Sequence, residues 1–438
     1  MTEPAVAAPS SSTTSRGGLT GLLRTLEIDT RLLGMIIALA VIWIGFDVAS
    51  GGLFLSSRNL WNLSVQTSAV AVMATGMVLI IVSRNIDLSV GSVAGVVGMS
   101  IALFQVRLIP DALGLGLEQP YTWILTVVFG LLLGGAIGAL QGGLVAYVGI
   151  PSFIVTLGGL LVWRSVTFQL AAGQTIAPLD TTFQLLGGGP QGSVGEMASW
   201  IIGIVACIGI VYAMITGRRR RQNYGFPVRP MWAAIGLMVV GCGAILGAVA
   251  IANSYPWPER LAAQYAAARD IPLPEGGLII PTGIANPALI MVGVAILMTV
   301  LANRRRFGRY VYAIGGNPEA AELSGINTRR TIMWTFVIMG VLAAVSAIIL
   351  TARQNSATNG LGTGAELQVI AAAVIGGTSF AGGIGTIAGA VLGALVMQSL
   401  VSGMQLLRYS NAEVDIVVGI VLVIAVGIDT IVRRRSHG

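Results

Sequence analysis

From Leu32 onward the chain alternates apolar runs of about twenty residues with short polar connections that carry most of its arginines. The runs lie near Leu32–Val48, Val65–Val82, Leu88–Val106, Thr122–Val148, Phe153–Leu170, Ala198–Thr216, Met231–Ala252, Pro287–Ala302, Thr331–Ala352, Leu367–Phe380, Thr386–Met404 and Val414–Val432. Each approaches the ~20 residues that a helix needs to cross a bilayer core of roughly 30 Å. In hydrocarbon every backbone N–H and C=O must be bonded within the protein, which leaves helices as the solution for runs of this length. The expected fold is therefore all-α, a polytopic transmembrane helical bundle of about twelve spans. At 55% hydrophobic and only 10% charged, the composition excludes a soluble globular domain.

All 25 basic residues are arginine. With the N-terminus inside, an alternating path places Arg218–Arg221, Arg304–Arg330 and Arg433–Arg435 on one side of the membrane. Basic residues favour the cytoplasmic side, so both termini are expected there, in an inner (plasma) membrane protein. The loops Ala171–Met197 and Asn253–Asn286 then face outward, where Leu261–Arg269 is expected to form a short surface helix. The net charge of +7 reports this orientation, and no nucleic-acid partner is expected.

The missing lysine has a sharper consequence. A phosphate-binding GxxxxGK[ST] loop needs one, so this chain cannot be its own P-loop ATPase. The single histidine, His437, lies at the C-terminus, which excludes a Ser–His pair or a histidine metal site within the bundle. Cys207 and Cys242 fall in apolar runs and read as small core residues. Residues 1–30 are rich in Ser, Thr, Ala, Pro and Gly and are expected to form a disordered tail, with the membrane domain over 31–438.

The most structured polar stretch is 304–330. Asn317 is a suitable N-cap, Pro318 suits the first helical position, and Glu319 sits at the positive end of the helix dipole. Gly325 can take the left-handed conformation that closes a helix. The expected helix, Pro318–Ser324, is about 10 Å long at ~1.5 Å per residue. Isolated helices that short are marginal in water, so it must dock on its own chain or on a partner.

Polar residues within the apolar runs mark where a solute path is expected. Asp87, in the sequence Asn85-Ile86-Asp87-Leu88-Ser89, has no loop long enough to carry it clear of the protein. It either caps the following helix or lines the path. Arg164 either reaches an interface, pairs with an acid such as Asp87 or Glu366, or lines the path. Gln141 offers both a donor and an acceptor. The stretch Gly360–Gly389 is rich enough in glycine to unwind, exposing carbonyls around Thr378 and Ser379.

These motifs, in this order, make the chain resemble the membrane permeases of bacterial ABC importers for ribose, xylose and related monosaccharides. The matching segments are Asn85–Ser92, Phe153–Gly158, Gly315–Ile326 and Glu366–Gly383, and the resemblance covers about residues 30–432. Shorter members have about ten spans; the extra region, 199–275, is similar to the longer, xylose-type branch. Phe380 stands where leucine is usual, and Ser402 where asparagine is usual.

The resemblance implies a non-enzymatic subunit that moves a xylose- or pentose-like monosaccharide. It implies a second copy of the permease, a periplasmic sugar-binding protein and a cytoplasmic ABC ATPase that binds the ATP and Mg, with no cofactor in this chain. Within the cytoplasmic loop 304–330, the expected ATPase-coupling residues are Gly316, Asn317, Pro318, Glu319, Ala320, Ala321, Gly325 and Ile326. The expected substrate-path residues are Asn85, Asp87, Gln141, Thr156, Thr378 and Ser379, with no metal ligand among them. The competing readings are an ABC permease for another small polar solute and an ion-coupled secondary transporter. The second should display a relay of intramembrane carboxylates.

Overall fold

The computed structural model describes residues 30–114, 116–274 and 277–437. The tail expected over residues 1–30 lies outside them up to Thr30, which opens the first helix. The main helices are α1 (Thr30–Ala49), α2 (Ser57–Val82), α3 (Val90–Leu103), α4 (Thr122–Gly143) and α5 (Ser152–Ala171). They continue with α6 (Gly195–Asn223), α7 (Met231–Asn253), α8 (Asn286–Arg304), α9 (Arg306–Gly316) and α10 (Pro318–Leu323). The series ends with α11 (Thr328–Gln354), α12 (Ala365–Ile375), α13 (Ile387–Leu406) and α14 (Asn411–His437). Single π-helical turns extend α3 at Phe104–Leu108 and α4 at Leu144–Val148. Among the described residues, ten helical stretches are long and apolar enough to cross a membrane.

The apolar runs of the sequence fall on helices, one of them shortened. The run over Leu367–Phe380 stops at Ile375, because Gly376 and Gly377 end the helix; Gly377 takes a φ of 88°. The short helix expected over Leu261–Arg269 appears as Glu259–Ala267.

Helix α2 is buried on all sides over most of its length, as expected of a helix that is apolar all round. Around it stand α11, α13, α8 and α12. The tightest contact joins α4 to α11. Gly134, Gly138 and Gly142, four residues apart, present a flat stripe against Gly340, Phe336 and Met333, so the two backbones touch.

The loops fix the relative direction of the helices. At the start of α2, Ser57 Oγ donates to the Ser254 carbonyl (3.3 Å) and Trp61 Nε1 to that of Gly283 (2.8 Å). At its other end, the Val82 carbonyl accepts from Gly383 N–H (3.0 Å). The end of α7 and the start of α8 therefore share the first end of α2. The arginine runs 218–221 and 304–306 lie at the opposite end, on the single side that their sequence positions require.

Candidate functional site

Helix α10 has the local structure that its sequence dictates, one residue shorter than expected. Asn317, at φ −150° and ψ 103°, accepts from Ala320 N–H through its side chain (3.0 Å). At the other end, Gly325 adopts φ 79°. Ile326 N–H donates to the Ala321 carbonyl (3.1 Å) and Gly325 N–H to that of Glu322 (2.9 Å). That pair of bonds is a Schellman closure. Ala321 is buried against the protein, while Glu319, Ala320, Glu322 and Leu323 face solvent, Leu323 at 91% exposure. Leu323 therefore contributes little to packing within this chain. It was not among the expected coupling residues.

Ahead of α10 stands α9, which sequence reasoning read as loop. Its apolar residues Phe307, Val311 and Ile314 recur at i, i+4 and i+7, the signal that identifies it. Val311 and Ile314 are buried, and the Tyr312 hydroxyl donates to the Gly385 carbonyl (2.7 Å).

The two broken regions converge on the junction between α9 and α10. A methyl at position 315 would overlap the Val82 carbonyl oxygen, so only glycine allows this approach. Arg84 donates through Nε to the Gly315 carbonyl and through Nη2 to the Gly316 carbonyl, both at 2.8 Å. Its own backbone is left-handed, at φ 62°. On the other side of the joint, Gly382 packs against the Arg84 side chain. Sequence reasoning missed Arg84. Its signal was an arginine at the end of an apolar run, directly before the Asn85–Ser92 motif.

Most of the expected path residues gather at the break between α2 and α3. Asp87 is buried and accepts from Ser89 N–H (2.8 Å) and the Ser89 hydroxyl (2.6 Å). Gln141 Nε2 donates to the same hydroxyl (3.0 Å). Thr156 donates to the Ser152 carbonyl (2.8 Å), and the Ser152 hydroxyl accepts from Ile86 N–H (3.2 Å). Asn85 turns back on its own loop, donating to the Ser83 carbonyl (3.0 Å). These bonds hold Asp87 within the turn into α3.

Thr378 and Ser379 lie in the second break, after α12. Both are buried; the Ser379 hydroxyl accepts from Ala381 N–H (3.1 Å), and Thr378 Oγ1 has no partner among the described residues. They approach the first break through Gly385, which contacts both Val82 and Thr378. Arg164 faces Glu366 rather than Asp87, at 3.9 Å. Ser402 stands 3.5 Å from Asn59 Oδ1. Cys207 and Cys242 are half-buried on the packed pair α6 and α7, and both are free thiols.

Comparison with known proteins gives this arrangement its relatives. The xylose transport system permease protein of Escherichia coli K12 is 36% identical over 420 residues, covering 96% of each chain. That of Haemophilus influenzae is 37% identical over 409 residues, 93% of this chain and 98% of the other. The ribose import permease protein of Escherichia coli K12 is 31% identical over 376 residues, 86% of this chain and 87% of the other. No solved structure matches. A family model, described as branched-chain amino acid transport system / permease component, matches residues 59–184 and 193–426. With most of its length matched by that model and nearly all of it by full-length permeases, the chain belongs to this permease family.

Proposed function

We propose that this chain is the membrane-spanning subunit of an ATP-driven importer for a monosaccharide of the xylose or pentose type. The observation that carries the reading is the near-complete alignment, at 36% identity, with a permease named for xylose. The family description names amino acids, but the full-length relatives are named for xylose, ribose and allose. In this reading α10 docks on a separate ATPase that binds ATP and Mg, while this chain carries no cofactor. The arginine-rich end, with both termini, faces the cytoplasm, and a periplasmic sugar-binding protein delivers solute at the other end. A second copy of the chain covers α5, which packs chiefly on α3 and leaves Phe153, Ile154, Leu157 and Leu161 exposed.

Asn85, Asp87, Gln141, Thr156, Thr378 and Ser379 border the solute path in this scheme, several of them by holding the breaks that form its walls. The ATPase-coupling set in this scheme is Gly316–Ala321 with Gly325 and Ile326, together with the exposed Leu323 and with Arg84, which bonds the Gly315 and Gly316 carbonyls. Proteoliposomes holding this chain with its ATPase and binding protein are expected to accumulate D-xylose only when ATP is supplied. Accumulation driven by a proton or sodium gradient without the ATPase would refute the proposal.

A further inference from the structure

Helices α3 and α12 are entered from opposite ends of the bundle, yet their N-termini meet. The chain reaches α3 from the Arg84 end through the Ser83–Ser89 break. It reaches α12 from the far end of α11, through the loop over 355–364. Gly91, in the first turn of α3, is in such close contact with Gly362 and Glu366 that an added methyl would overlap the Gly362 carbonyl oxygen and Glu366 Oε2. The meeting point therefore lies between the two ends of the bundle.

The charged pair there is incompletely satisfied. Glu366 is 7% exposed, and its Oε1 stands 3.9 Å from Arg164 Nη2, beyond hydrogen-bond reach. Glu366 Oε2 and Arg164 Nη2 are buried atoms without a hydrogen-bond partner among the described residues. Two more such atoms lie along the contact of α3 with α5, namely Ser92 Oγ and Trp163 Nε1. At about 100° per residue, Ser92 falls on the arc of α3 between Gly95 and Ser89. Gly95 meets Thr167 of α5, and Ser89 lies beside Gly159 of α5. Buried polar groups in native proteins are nearly always paired, so a group of orphans implies a partner that the chain does not supply.

The 3.9 Å between Arg164 Nη2 and Glu366 Oε1 is the span that one shared oxygen would bridge. An oxygen about 2.8 Å from both Arg164 Nη2 and Glu366 Oε1 fits a 3.9 Å separation, accepting from the guanidinium and donating to the carboxylate. A hydroxyl adds no charge to the Glu366–Arg164 pair, beside which Asp415 approaches at Gly364. Arg164 Nη2 itself is buried, while the rest of its side chain is 37% exposed on a flank of α5.

We propose that Glu366 and Arg164 form a contact site for a hydroxyl of the translocated, neutral polyhydroxylated solute, with Ser92 and Trp163 as further polar contacts. The site rests on the transport reading above and adds to it the residues that grip the solute at mid-path. The test uses the complete importer in proteoliposomes, measuring D-xylose delivered per ATP hydrolysed. Glu366→Gln, which keeps the shape, and Arg164→Lys, which keeps the charge, are each expected to lower that ratio about tenfold, the effect of losing a hydrogen bond to a charged group. A ratio within about twofold of the unaltered chain in either variant overturns the proposal. Failure of both variants to assemble with the ATPase also overturns it, because the pair would then be a packing device. If the unaltered chain moves no sugar, the transport reading itself falls, a result distinguishable because it appears before any substitution is made.

Discussion

Replacing Arg84 by alanine tests whether the joint between α9, α10 and the two breaks transmits force. The substitution removes two hydrogen bonds at 2.8 Å, to the Gly315 and Gly316 carbonyls. A hydrogen bond from a charged group contributes about 1.5–3 kcal/mol when buried. The Arg84 side chain is largely exposed, so solvent screening reduces this to about 1 kcal/mol per bond. A loss of about 2 kcal/mol weakens the closed joint roughly 30-fold relative to a parted one. The α10 surface is untouched, so the ATPase should still co-purify, whereas the push it delivers should no longer reach the breaks. The expected phenotype is uncoupling: ATP is hydrolysed, and sugar delivered per ATP falls severalfold or more. Lysine can reach one carbonyl but not both with a fixed fork, so Arg84→Lys should give an intermediate ratio. A normal ratio in Arg84→Ala, or loss of ATPase binding, would show that the joint does not carry the motion.

Three further substitutions separate docking, closure and path. Leu323→Glu removes the exposed apolar contact on α10 and should weaken ATPase co-purification about tenfold with no change in thermal stability in detergent, since the residue touches little of its own chain. Gly325→Val forces a β-branched residue into φ 79° at a strain of about 1–3 kcal/mol, and should loosen α10 and reduce ATPase binding while the bundle still folds. Unchanged binding in either variant contradicts the docking role. Asp87→Ala removes the acceptor of two bonds from Ser89 and should lower the midpoint of thermal unfolding in detergent; an unchanged midpoint with altered transport would make Asp87 a path residue and not a cap.

The bundle was legible because its signals are local and redundant. Apolar length, arginine placement and the Asn317–Gly325 capping pattern each speak through a few adjacent residues, and each reappears in the helices. Helix α9 was overlooked because arginines and glycines around it masked a three-residue apolar periodicity. The partners of Arg84 lie more than 230 positions away in the chain, and no rule based on neighbouring residues reaches them. Pairing of Arg164 with Asp87 or Glu366 was one of three readings of that residue, and facing it to Glu366 required the close approach of α3 to α12. Sequence reasoning thus offered candidate groups and left their pairing to the fold.

The distribution of contacts argues for where the molecule bends. Along α4 and α11 the backbones touch at three successive glycines, and a close-packed contact of that kind has no intermediate arrangement to slide into. The breaks are different. The turn at Ser83–Ser89 is held by side-chain bonds from Asn85, Ser89, Gln141 and Thr156, and the turn at Gly376–Thr386 by a few backbone bonds and the Ser379 hydroxyl. Segments secured by a handful of hydrogen bonds open at a fraction of the free energy needed to part a packed helix pair. The joint of Arg84 with Gly315, Gly316 and Gly382 ties both breaks to α9 and α10, and the Tyr312 bond to Gly385 ties the second break to α9 again. A displacement of α10 therefore meets stiff helices on one side and two compliant turns on the other, and the turns must yield first. Stiffening the turns should then inhibit transport as effectively as cutting the joint, but with the ATPase stalled rather than running free.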